Sequence, residues 1–163
     1  MQRRLLLKTL ASFAAAATVA PWGMAQTRPQ LEVWKDPNCG CCKEWVDHLQ
    51  ANGFQVKVHD SGNAQARKRL GIPEQLGSCH TASIGGYAIE GHVPAADIHR
   101  LLKEKPKAVG LTVPGMPIGS PGMDAPIYGG RKDPYDVLLV LKDGGTRVYQ
   151  AYPSKVSATS TNS

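Results

Sequence analysis

Leu31-Glu32-Val33-Trp34-Lys35-Asp36-Pro37-Asn38-Cys39-Gly40-Cys41-Cys42-Lys43 is the stretch on which the fold turns. Residues 31–34 predict a short strand, which Asp36-Pro37-Asn38 breaks. Three cysteines follow on one turn. From residue 43 to 51 Trp45, Val46 and Leu49 fall on one face at helical spacing, so the cysteine loop leads into a helix. Asn52-Gly53 ends that helix, and residues 54–59 alternate apolar and polar side chains as a second strand.

Downstream, residues 63–70 predict a helix closed by Gly71, and Ile72-Pro73 opens a short helical turn through Leu76. Residues 81–84 and 87–90 read as strands joined by Gly85-Gly86, a pair suited to a tight hairpin. Pro94 opens a helix reaching about residue 105, with Ala95, Ile98, Leu101 and Leu102 as its core stripe. Residues 111–134 carry Pro114, Pro117, Pro121 and Pro126 among many glycines and are expected to hold no regular structure. A last hairpin, 136–141 with 146–151, turns at Asp143-Gly144-Gly145. The order strand, helix, strand, helix, hairpin, helix predicts a thioredoxin-like α/β sandwich over residues 26–153, with a long Pro/Gly-rich loop before a C-terminal hairpin. Cys39 then stands between the first strand and its helix, where the helix dipole and free amides favour a thiolate.

Two flanking segments stand outside that domain. Arg3, Arg4 and Lys8 precede an apolar run over 10–20, and Gly23-Met24-Ala25 supplies small residues for cleavage, so 1–25 reads as an export signal peptide. Arg3-Arg4-Leu5-Leu6-Leu7-Lys8 also resembles a twin-arginine signal. The run is shorter than the roughly 20 residues a spanning helix needs, so no membrane association is expected once the signal is removed. Residues 154–163 are Ser/Thr-rich and read as a disordered tail. Export implies a periplasmic protein. The signal carries three basic and no acidic residues, which takes the formal charge from +6 for the chain to +3 without it. That is too little to indicate nucleic acid. Paired catalytic carboxylates, a Ser-His-Asp set and phosphate-binding loops are absent from the pattern.

All four cysteines, Cys39, Cys41, Cys42 and Cys79, lie in the mature part. Cys39-Gly40-Cys41-Cys42 holds a C-x-x-C, a C-x-C and an adjacent pair at once. Dithiol exchange needs only Cys39 and Cys42, which leaves Cys41 surplus to it. Three thiolates converging where Gly40 lets the backbone bend suit a soft metal. If the fold is as expected, Cys79-His80 precedes the third strand and faces that loop, adding a sulfur and an imidazole. Copper ions are the leading cargo, including a multinuclear cluster bridged by the crowded thiolates. Zinc in a structural site is the alternative. A thiol-disulfide oxidoreductase using Cys39 as nucleophile and Cys42 as resolving thiol is another, and a plain Cys39 to Cys42 staple a further one. Met116 and Met123, in the Pro/Gly-rich loop, offer thioethers that suit monovalent copper or cover an apolar patch. His92 is read first as a cap or surface residue and second as a ligand. Lys43 would help lower thiolate pKa values. His48, His59 and His99 carry no functional reading.

Four motifs resemble one family. They are Asp36-Pro37-Asn38-Cys39-Gly40-Cys41-Cys42; Ser78-Cys79-His80-Thr81-Ala82; Gly86-Tyr87-Ala88-Ile89-Glu90-Gly91-His92-Val93-Pro94; and Val113-Pro114-Gly115-Met116-Pro117 through Gly122-Met123. In this order, over residues 31–152, the chain is similar to the CopG-type copper-resistance proteins, long catalogued as a domain of unknown function. The resemblance implies a periplasmic thioredoxin-like domain that binds copper through the three loop cysteines and the Cys79-His80 pair. It also implies a role in Cu(I)/Cu(II) conversion, with metal ions and either other periplasmic copper proteins or an electron donor or acceptor as partners.

Overall fold

The structure, a computed structural model, describes residues 28–153. The expected signal peptide and C-terminal tail lie outside the described residues. β1 (Gln30–Lys35) buries Leu31, Val33 and Lys35 on one face, the period of two that a strand imposes. The chain turns through an Asp36 to Cys39 backbone hydrogen bond of 3.1 Å and enters α1 (Gly40–Ala51). The helix therefore begins three residues earlier than apolar spacing alone suggested. Cys39 is its N-cap, and Cys41 and Cys42 sit in its first turn. Its buried stripe, Cys42, Trp45, Val46 and Leu49, has the i, i+3, i+4, i+7 spacing of one helical face.

β2 (Gln55–His59) pairs parallel to β1 with Val33 opposite Val58, the crossover being α1. α2 (Asn63–Arg69) and a turn of 3-10 helix (Glu74–Leu76) lead to the hairpin β3 (His80–Ile84) and β4 (Tyr87–Glu90). β3 runs antiparallel to β1, and α3 (Ala95–Glu104) follows β4.

One strand was not expected. β5 (Gly110–Thr112) lies where the prolines predicted irregular chain, pairing parallel with β4 and antiparallel with β6 (Tyr135–Val140). It exists through its neighbours, because three residues carry no periodicity of their own. Gly110 makes the approach to β4 feasible: a Cβ there would stand 1.8 Å from the Ala88 carbonyl oxygen. β7 (Thr146–Tyr152) closes the sheet against β6, with a register shift at Val137/Leu138. Among the described residues the result is a mixed α/β fold with one seven-stranded sheet, ordered β2-β1-β3-β4-β5-β6-β7, and three α-helices.

The main core lies between the sheet and the pair α1 and α3, and includes Leu31, Val33, Trp45, Leu49, Phe54, Ile89, Ile98, Leu101 and Leu139. A smaller cluster, Ile72, Ala88 and Val140, is separate from it. Ala88 and Ile89 are consecutive in β4 and belong to different clusters, so both faces of the sheet are covered. No helix among the described residues is long and apolar enough to cross a membrane.

Candidate metal centre

Strand register brings the site together. β1 and β3 pair with Lys35 opposite His80, so the end of β1 that feeds the cysteine turn lies beside the start of β3 and its preceding Cys79. β3 and β4 pair with Thr81 opposite Glu90, and the Gly91 amide donates to the His80 carbonyl at 3.0 Å. Continuing that register by one step sets His92 across from Cys79.

Side chains converge accordingly. Cys39, Cys41, Cys42 and Cys79 present sulfurs that all lie within 4.8 Å of one another, and Cys79, His80 and His92 form a second such group. Cys79 belongs to both. Its sulfur is 3.9 Å from that of Cys41, 3.3 Å from His80 Nδ1 and 3.1 Å from His92 Nε2. Cys41 Sγ lies 3.6 Å from Cys39 Sγ. Cys39 and Cys42 are joined as a disulfide, the pairing ranked below metal binding from spacing alone, while Cys41 and Cys79 are free thiols. The three-residue separation at the helix start makes both states of that pair compatible with one backbone.

His92 is fully buried, which corrects the expectation of a surface or capping residue. Its Nδ1 lies 2.8 Å from the Pro121 carbonyl, which only accepts, so Nδ1 carries the proton and Nε2 turns a lone pair toward Cys79. A backbone carbonyl holding one ring nitrogen so that the other can ligate is the usual outer-shell device of metal sites. His80 is fully buried too, its ring 4.2 Å from that of Trp45, and its Nε2 has no hydrogen-bond partner among the described residues. Burial, with His92 close by, holds its imidazole down at about 3. Burial likewise lowers His92. The Cys79 thiol is pushed up to about 12, by burial first and by Cys41 second. A metal must therefore displace its proton on binding.

Other expectations fare differently. Lys43 pairs with Asp47 at 2.6 Å on the exposed face of α1, so its charge serves the helix surface rather than the thiols. Met116 is 52% exposed, and Met123 accepts a hydrogen bond from Tyr128 at 3.6 Å. Each stands one residue from a glycine that touches the site. Gly115 accepts from the Ser78 hydroxyl, and a Cβ on Gly122 would meet the Cys41 carbonyl at 2.5 Å. His48 accepts the Ala95 amide at 3.1 Å and so caps α3. Sequence reasoning gave no role to the Arg67 and Glu90 pair beside Ser78; a charged residue ending an otherwise apolar strand was the signal available. A cavity of about 440 Å³, lined in part by Lys35, Asp36, Asp60, Asn63 and Cys79, offers access from solvent.

The donor set fits a soft metal. Two free thiols and two neutral imidazoles are available in the oxidised state, and reduction of Cys39 and Cys42 adds two more sulfurs. The buried neutral histidines also set an acid response. Both are held below the ordinary value of 6.5 in the folded chain, so the unfolded chain takes up protons more readily there and stability falls as pH drops through that point. From His80, held at about 3, metal-free protein is expected to lose stability with a slope approaching about 1.4 kcal/mol per pH unit as pH falls from ~6.5 to ~5, with His92 adding in the same direction. Urea titrations across that interval measure it; a flat profile would contradict the burial argument.

Residues 76–123 match the family model described as protein of unknown function DUF411. No curated protein matches the chain. The solved structure of copper resistance protein CopG in Form 1 is 48% identical, covering 77% of this chain and 98% of its own, with a TM-score of 0.71. Form 2 is 47% identical, covering 77% and 99%, with a TM-score of 0.72.

Proposed function

The chain belongs to the family of the copper resistance protein CopG, and from that membership we propose that it is an exported, periplasmic copper-binding protein. The observation that carries this is the double cluster: four sulfurs and two buried imidazoles, sharing Cys79. Cys39, Cys41, Cys42 and Cys79 hold copper as cargo, with His80 and His92 as the nitrogen donors. Thiolates stabilise Cu(I) and imidazole tolerates Cu(II), so the mixed set suits conversion between the two. Four thiolates within so small a volume also support several bridged ions. Met116 and Met123 serve as entry ligands on the covering loop.

The cysteine turn carries its own reducing equivalents. Closing the Cys39 and Cys42 thiols into the disulfide releases two electrons and two protons, enough to take two Cu(II) to Cu(I). A thioredoxin-like assignment is supported by the order β2-β1-β3-β4, with β3 antiparallel to β1 and the C-x-x-C at the start of α1.

A second reading, thiol-disulfide exchange at Cys39 and Cys42, is favoured by the disulfide itself. Metal analysis of protein purified from the periplasm, with thiol titration beside it, separates the readings. Copper at one equivalent or more is expected. Metal-free protein with a reducible disulfide, retained in Cys41→Ser and Cys79→Ser variants, would favour the oxidoreductase; stoichiometric zinc would favour a structural module and overturn the copper reading.

A further inference from the structure

Cys79 sits between the two buried imidazoles and the cysteine turn. Among the described residues its sulfur has one further hydrogen-bond partner, the Ser78 hydroxyl at 3.9 Å. The backbone that carries it into this position is held by an ion pair. Glu90, at the end of β4, is fully buried. Its Oε1 accepts from Arg67 Nε at 2.9 Å and from the Ser78 amide at 2.6 Å, with Arg67 Nη2 at 2.8 Å. Arg67 Nη2 also donates to the Ser78 carbonyl at 2.6 Å. One guanidinium and one carboxylate thus hold the peptide groups on both sides of Ser78, the second of which is the peptide bond to Cys79.

The surroundings are cut to admit this pair. A Cβ on Gly77 would stand 2.9 Å from Arg67 Cζ. At Gly91, where φ is +70°, a Cβ would stand 2.7 Å from both Ser78 Cβ and Ser78 Oγ. The Glu90 Oε2 lies 2.6 Å from the Thr81 hydroxyl, whose single proton is shared between it and Asn63 Oδ1 at 2.5 Å. Burying two charges is a poor way to gain stability, since an apolar pair of similar volume does as well or better. Fixing geometry is what a forked guanidinium paired with a carboxylate does well.

We propose that Arg67 and Glu90 are positioning residues that lock Ser78 so that the Cys79 sulfur faces Cys41 and His92 together. Their consequence for metal affinity rests on the copper reading above; their effect on Cys79 rests on the sulfur cluster alone.

The test uses the full mature chain with Cys39 and Cys42 oxidised, so that Cys41 and Cys79 are the reactive thiols. Iodoacetamide labelling, followed by peptide mass spectrometry, gives the Cys79 rate relative to Cys41 as internal reference. Cu(I) affinity is read on the reduced chain by competition with a chromophoric chelator, and melting is followed alongside. In Glu90→Gln the Cys79 to Cys41 ratio should rise several-fold and Cu(I) affinity fall by about ten- to a hundredfold, the range for lost outer-shell partners. Arg67→Lys keeps the charge without the fork and should fall between Glu90→Gln and the parent. If Glu90→Gln does not fold, Arg67→Lys carries the same ratio test. A lowered melting temperature with the ratio and the affinity of the folded protein unchanged would overturn the proposal. Should the parent chain take up no copper, the copper reading fails while the labelling ratio still decides the positioning role.

Discussion

Cys79→Ser is expected to lower Cu(I) affinity by at least about a hundredfold, since losing an outer-shell partner alone costs about ten- to a hundredfold and this residue is proposed to supply a donor atom. The reason is its place in both groups: its sulfur is 3.9 Å from Cys41, and two imidazole nitrogens lie at 3.1 and 3.3 Å. Serine keeps the size and loses the soft donor, so the sulfur group and the imidazole group are disconnected together. Folding should be little affected, because Cys79 is only partly buried and sits in a loop ahead of β3. Chelator competition on reduced protein measures the effect. Retention of affinity within a few-fold would mean that copper binds elsewhere.

Trp45→Ala should be the most destabilising single truncation near the site. The side chain is fully buried on α1, donates its indole N–H to the Val93 carbonyl at 2.9 Å and packs its ring 4.2 Å from His80. Truncating a buried tryptophan costs about 3–5 kcal/mol, part of it the cavity left behind. The melting temperature should fall by about 10 °C or more for a domain of this size. Trp45→Phe keeps most of the volume and leaves the Val93 carbonyl without its donor, so a smaller drop is expected. Because Val93 follows His92, both buried histidines depend on this indole. A thermal scan showing a shift of only about 2 °C for Trp45→Ala would contradict that picture.

How far the site could be read in advance depended on range. The run from β1 through the cysteine turn into α1 and β2 was legible because apolar spacing, a proline break and a glycine stop all act within a few residues. The Gly85-Gly86 hairpin and α3 were legible on the same grounds. β5 was not, since Gly110-Leu111-Thr112 becomes a strand only by lying between β4 and β6. His92 was misjudged for a related reason: its position opposite Cys79 follows from the pairing of Thr81 with Glu90, and register is a long-range property. The Cys39 and Cys42 pair shows a different limit. Spacing places the two thiols within reach of each other and of a metal, and the choice between those states belongs to redox chemistry rather than to pattern. Arg67 and Glu90 are twenty-three residues apart, and nothing in either segment announced that they would meet over Ser78.

Copper binding as proposed requires sulfur from both chain segments on the metal. Copper K-edge X-ray absorption on the reduced, copper-loaded chain reads this directly: sulfur scatterers should dominate the first shell, with an imidazole contribution, and the sulfur number should drop in Cys79→Ser. A first shell of oxygen and nitrogen alone, or one unchanged by that substitution, would contradict it.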